Sequence, residues 1–107
     1  MRTLVIIPTY NEKENIHKII PLVLQQDREI EVLVVDDNSP DGTGKMVEEL
    51  KASNPRIRLI TRAKKSGLGT AYIAGFDYAL QNGYDYIFEM DSDFSHDPNI
   101  FPTSSRQ

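Results

Sequence analysis

The sequence contains no cysteine. That excludes disulfides, thiolate metal sites and a cysteine nucleophile, and it suits a reducing compartment. Basic charge is not in excess either: 12 Lys and Arg against 16 Asp and Glu leave a net charge of -4. Nucleic-acid binding through a basic face is therefore not expected. A nucleotide remains compatible, because a bound cation can bridge acidic side chains to phosphates. No apolar stretch nears the ~20 residues of a membrane span. Leu4 to Ile7 is too short for a signal-peptide core and runs straight into Pro8. The expected location is cytoplasmic, with peripheral contact at the inner face of a membrane left to segments these residues need not contain.

Two phosphate-binding signatures are started and not completed. Gly67-Leu68-Gly69 opens a dinucleotide fingerprint, but Tyr72 holds the place of its third glycine. Gly42-Thr43-Gly44-Lys45 has the wrong spacing for a P-loop, and Met46 stands where Ser or Thr is required. Internal repeats and low-complexity tracts are also absent. A chain of 107 residues has room for one compact domain.

What the sequence does have is an alternation of strand and helix. Thr3 to Ile7 reads as a first strand. Asn11 then resembles an N-cap with Glu14 three residues on, and Ile16, Ile19, Ile20, Val23 and Leu24 form one apolar stripe at helical spacing. Pro21 predicts a kink or a restart. Ile30 to Val35 is a second strand, and the turn-rich Asn38 to Thr43 leads into a short helix marked by Met46, Val47 and Leu50. Ile57 to Ile60 is a third strand. Gly67 to about Leu80 is a third helix, with Tyr72, Ile73, Phe76, Ala79 and Leu80 expected inward. After Asn82-Gly83, Tyr86 to Met90 reads as a buried fourth strand. This pattern predicts an α/β, three-layer α/β/α, Rossmann-like fold on a parallel sheet. A strand order 3-2-1-4 would put the ligand crevice between the first and fourth strands, outside their carboxyl ends.

Acids and polar groups collect at that edge. The fourth strand empties into Asp91-Ser92-Asp93, the second into Asp36-Asp37, and the first into Pro8-Thr9-Tyr10-Asn11-Glu12. Asp-x-Asp at a strand end suits a hard divalent cation, magnesium or manganese. The plainer readings are a solvated turn for Asp91 and Asp93, an Asx-turn for one of Asp36 and Asp37, an edge cover for Tyr10, and a helix-dipole partner for Glu12. Arg62, Lys64 and Lys65 read as a solvated basic loop. His17 reads as a surface residue, and His96 as a group near the acids.

Four segments occur in register: Pro8-Thr9-Tyr10-Asn11-Glu12-Lys13-Glu14-Asn15-Ile16, Val35-Asp36-Asp37-Asn38-Ser39-Pro40-Asp41-Gly42-Thr43, Gly67-Leu68-Gly69-Thr70-Ala71-Tyr72 and Met90-Asp91-Ser92-Asp93-Phe94-Ser95-His96. Together they resemble the family 2 glycosyltransferases of the GT-A fold, most closely the dolichyl-phosphate or polyprenyl-phosphate mannosyltransferases. The resemblance implies an inverting, metal-dependent transfer of mannose or another hexose from a nucleotide sugar, GDP-mannose above all, to a polyprenyl phosphate. It implies that Pro8, Tyr10 and Glu12 line the nucleoside pocket and that Val35 and Asp37 contact the base. It further implies that Asp91 and Asp93, with Ser92 beside them, hold Mg2+ or Mn2+ and the diphosphate as the catalytic carboxylates. Ser92 and Phe94 depart from the family's usual alanine and leucine and leave both carboxylates in place. The family pattern continues past this point, so residues 1–107 are expected to be the donor-binding part of a longer domain. An open fourth strand would then invite pairing with another copy of the chain. Two rivals remain: a non-catalytic fragment with weak nucleotide binding, and a signalling receiver domain, which shares the alternation and a strand ending in paired acids.

Overall fold

The computed structural model describes residues 2–63 and 67–90, without the side chain of Leu68. Its elements are β1 (Thr3–Thr9), α1 (Lys13–Leu24), β2 (Ile30–Asp36), α2 (Thr43–Ser53), β3 (Ile57–Thr61), α3 (Leu68–Gln81) and β4 (Tyr86–Glu89). All strand pairs are parallel, in the order β3-β2-β1-β4. The expected order is the observed one, and it removes the receiver rival, whose sheet would run 2-1-3-4-5.

The order also explains the layers. From β1 to β3 the chain steps one way across the sheet, and after β3 it jumps back past β1. Crossovers of constant hand put helices on opposite faces when the direction reverses. Accordingly α1 and α2 cover one face over Val5, Ile7, Val32 and Val34, whereas α3 covers the other over Leu4, Ile6, Leu33 and Val35. Every one of these eight strand residues is fully buried. Burial on both faces is why β1 and β2 read as unbroken apolar runs rather than as alternating ones.

β1 extends two residues past its expected end, through Pro8 to Thr9. Ile6 O accepts from Met90 N–H on the β4 side (3.0 Å), and Thr9 O accepts from Asp37 N–H on the β2 side (3.1 Å). Neighbouring residues of a strand point their backbone groups to opposite sides, so the missing N–H of Pro8 falls on the β4 side. There the pairing ends at Ile6 and Glu89, with one further bond from Met90 N–H, so Pro8 closes the ladder rather than interrupting it.

Three local expectations need correction. Asn11 is not the N-cap of α1: it adopts a left-handed φ of 57°, and Glu12 takes the cap position without a side-chain cap bond of its own. Pro21 does not restart α1, which runs on as one helix to Leu24 with Pro21 on its exposed side. In α3, Ile73 and Leu80 point outward, 66% and 75% exposed. The helix instead presents Ala71, Gly75 and Ala79 to the sheet, with Tyr72 and Phe76 half-buried at the flanks. Small residues at a spacing of four let the backbone of α3 approach β1 closely, a contact that the size of an apolar side chain does not signal. The fourth strand is likewise less buried than its run of apolar residues suggests. β4 is an end strand of the described sheet, and Tyr86 is 45% exposed.

Gly75 carries the closeness of this contact. A Cβ there would lie 2.6 Å from Ile6 Cγ2 and 2.8 Å from its Cδ1. Ile6 is fully buried and branched at Cβ, so it has no free rotamer into which to retreat. Gly75→Ala gains about 1 kcal/mol of helix propensity and loses more to overpacking, about 1–3 kcal/mol. A net destabilisation is therefore expected in urea unfolding, opposite to the usual result of replacing a mid-helix glycine.

Candidate functional site

The carboxyl ends of β1, β2 and β3 meet in a network of side chains that cap one another's loops. Thr9 pairs in register with Asp36, and Asp36 with Thr61. Asp36 is 1% exposed. Its Oδ1 accepts from Thr9 Oγ1 and from Ser39 Oγ, both at 2.6 Å, and its Oδ2 accepts from Ser39 N–H at 3.0 Å. This is an Asx-type turn, so of the adjacent pair Asp36 is the residue that caps, as expected.

The start of α1 is capped from a distance rather than by its own sequence. Asn11 N–H donates to Ser39 Oγ (2.9 Å), Glu12 N–H to Thr43 Oγ1 (3.1 Å), and Lys13 N–H to Asp41 Oδ2 (3.2 Å). In return Asn11 Oδ1 accepts from Asp41 N–H (3.3 Å). Asp41 Oδ1 also accepts from Thr43 N–H (3.0 Å) and from the Thr43 hydroxyl, so one carboxylate serves the first turns of both α1 and α2. Gly42 supplies the φ of 90° on which this junction turns.

Desolvation alone would push the Asp41 carboxyl up. Bonds from the Thr43 hydroxyl and from the Lys13 and Thr43 N–H groups, with the Lys13 charge, outweigh it and hold the carboxyl below the ordinary aspartate value. A depressed folded-state value contributes stability above the unfolded pKa and loses it as pH falls through the folded one. Wild-type protein should therefore lose stability on acidification below about pH 4 more steeply than Asp41→Asn, which keeps acceptor capacity without the charge. Thermal unfolding at pH 3 and pH 7 checks this, and parallel pH profiles would contradict it.

Asp37 is 6% exposed and faces Arg62. Arg62 Nε donates to its Oδ1 at 2.6 Å and Arg62 Nη2 to its Oδ2 at 2.8 Å, a two-pronged ion pair. The bond to Asp37 raises the Arg62 pKa against the opposing effect of burial. Arg62 is thus part of the edge and not the solvated residue that its basic neighbourhood suggested. A signal for it existed in the strand order: Asp36 pairs with Thr61, so the next residues, Asp37 and Arg62, emerge side by side.

Of the other residues singled out in the sequence, Pro8 and Val35 pair across β1 and β2 and are buried, Val35 within the core beneath α3. Tyr10 is 37% exposed at the end of β1. Glu12 is half-buried, and its Oε1 accepts from Asn15 Nδ2 at 3.2 Å. The fold therefore brings Pro8, Tyr10 and Glu12 to the same edge as Val35 and Asp37. Asp91, Ser92, Asp93, His96, Lys64 and Lys65 lie outside the described residues. Just before Asp91, Met90 N–H donates to Ile6 O, one residue past the end of β4. Among the described residues no cluster of three or more His, Cys, Asp or Glu side chains could hold a metal.

Comparison with known proteins decides what this edge belongs to. The family model for glycosyl transferase family 2 matches residues 4–103. The chain belongs to glycosyltransferase family 2. It is 52% identical over 98 residues to the polyprenol monophosphomannose synthase of Mycolicibacterium smegmatis, a match covering 91% of this chain and 37% of that protein. It is 50% identical over 106 residues to the undecaprenyl-phosphate mannosyltransferase of Micrococcus luteus, covering 95% of this chain and 42% of that one. The chain thus spans well under half the length of either relative. Among solved structures, the mannosyltransferase PcManGT from Pyrobaculum calidifontis in complex with GDP-Man and Mn2+ superposes with a TM-score of 0.71 at 30% identity, over 86% of this chain and 27% of that one. The parallel sheet of order β3-β2-β1-β4 with helices on both faces is that of the GT-A glycosyltransferases among its structural neighbours. No helix among the described residues is long and apolar enough to cross a membrane.

Proposed function

We propose that residues 1–107 are the nucleotide-sugar-binding part of a polyprenyl-phosphate mannosyltransferase that takes mannose from GDP-mannose and inverts its anomeric centre. The observation that carries this reading is the convergence of Pro8, Tyr10 and Glu12 with Val35 and Asp37 at one carboxyl edge, in a chain about half identical to two polyprenyl-phosphate mannosyltransferases. Support for the donor comes from the GDP-Man and Mn2+ held by the related mannosyltransferase structure.

In this reading Pro8, Tyr10 and Glu12 line the nucleoside pocket. Val35, fully buried beneath α3, supports the end of β2 behind the base site, and the Asp37 carboxylate accepts hydrogen bonds from N–H groups of the base. Asp91 and Asp93, with Ser92 between them, follow β4 in the sequence after Met90. Two carboxylates at such a position match the hard-oxygen preference of Mg2+ or Mn2+, which when bound would act as a Lewis acid on the charge developing at the leaving diphosphate. The acceptor phosphate is already an anion and needs no base to activate it. The end strand β4 offers an edge for a second copy of the chain. A polyprenyl acceptor places the reaction at a membrane surface, on its cytoplasmic side.

Incubation of the purified chain with GDP-mannose, Mn2+ and a polyprenyl phosphate tests the reading. Formation of the lipid-linked mannosyl phosphate with inverted anomeric configuration is expected if these residues suffice for transfer. Donor binding without transfer would leave the non-catalytic fragment, and absence of both would overturn the donor assignment.

A further inference from the structure

The donor reading uses Asp37 and leaves Arg62 without a role, yet Arg62 is the residue that joins the separate pieces of this edge. Its backbone N–H donates to Asp36 O at 2.8 Å, at the end of β2. Its side-chain fork takes both oxygens of Asp37. Its outer nitrogens reach Thr70 Oγ1 at 2.9 Å and Gly67 O at 3.3 Å, and Thr70 Oγ1 itself donates to Gly67 O at 2.9 Å. Gly67 O also accepts from Ala71 N–H at 3.3 Å, so it is the carbonyl on which the first turn of α3 is built.

We propose that Arg62 is a positioning residue for nucleobase recognition, fixing the plane of the Asp37 carboxylate and tying it to the first turn of α3. The inference rests on the donor reading above. An aspartate at a strand end can rotate about two side-chain torsions. A planar guanidinium bonded to both of its oxygens restricts that rotation to one orientation. A carboxylate that must meet N–H groups of a flat base gains from being oriented beforehand, because ordering it on binding subtracts from affinity. Lysine supplies the charge and not the fork. The side chain of Arg62 is 17% exposed and that of Asp37 7%, so the pair is shielded enough for geometry as well as charge to matter.

The test is a calorimetric titration of the full chain, in Mn2+, with GDP and separately with pyrophosphate, which keeps the diphosphate and lacks the base. Wild type, Arg62→Lys and Asp37→Ala are compared, and thermal unfolding is followed in the same buffer. Arg62→Lys is expected to weaken GDP by about 10-fold and to leave pyrophosphate within about 2-fold. Equal GDP affinity overturns the inference. So does an equal loss for both ligands, which marks a general disturbance, and so does tighter GDP binding, which would make Arg62 a competitor for Asp37. If Arg62→Lys is unfolded at the titration temperature, Thr70→Ala decides, since it removes one anchor of the guanidinium and keeps both charges. It should weaken GDP by about 2-fold to 3-fold, and no change overturns the inference. Wild type that fails to bind GDP, or Asp37→Ala that binds it like wild type, overturns the donor reading itself and this inference with it.

Discussion

Asp36→Ala should destabilise the chain by about 3 kcal/mol, the largest loss expected from any single side chain at the carboxyl edge. Three hydrogen bonds end on its carboxylate. Bonds to a charged group are worth about 1.5–3 kcal/mol each when removal strands a buried partner. Thr9 is 4% exposed and would keep an unpaired hydroxyl, whereas Ser39 is half-buried and can turn to water. The turn that positions α2 would loosen as well. A Cβ on Gly44 would come within 3.1 Å of Asp36 Oδ2, so the first turn of α2 already rests against this carboxylate. For a domain of this size 3 kcal/mol is a large share of the total, and Tm should fall by on the order of 15 °C. Asp36→Asn retains one carbonyl acceptor and should lose roughly half as much. Urea and thermal unfolding of both variants measure this. A loss below about 1 kcal/mol for Asp36→Ala would mean that the buried carboxylate weighs no more than an exposed turn cap.

The order of elements and a turn cap at one of Asp36 and Asp37 were legible in the sequence. Each rests on a strong local signal: apolar runs for β1 and β2, a helical stripe for α1, and turn residues after Asp37. What escaped was set by contacts far apart in the chain. Asn11 and Glu14 satisfy the pattern of a capping box, but the amides of Asn11, Glu12 and Lys13 are taken by Ser39, Thr43 and Asp41, some thirty residues on. Ile73 and Leu80 satisfy an apolar helical pattern, but the sheet selects Ala71, Gly75 and Ala79 for their small size. Arg62 reads as one member of a basic loop until the β2–β3 register places it beside Asp37.

Asp91→Ala and Asp93→Ala should each weaken GDP-mannose binding in Mn2+ by on the order of 100-fold. These two carboxylates supply the only charge that the donor reading assigns to the cation, and removing either leaves the diphosphate charge poorly neutralised. Thermal unfolding of each variant in the titration buffer separates a loss of donor binding from a loss of fold. Asp37→Ala should differ in kind. It weakens the base contact, and it also lowers stability by leaving the Arg62 guanidinium unpaired in a shielded position.

Calorimetric titration of GDP-mannose into the purified chain, with and without Mn2+, tests the central claim most directly. The account predicts binding that requires the cation and is lost in Asp91→Ala and Asp93→Ala. Equal binding without Mn2+, or binding unchanged by both substitutions, would contradict it.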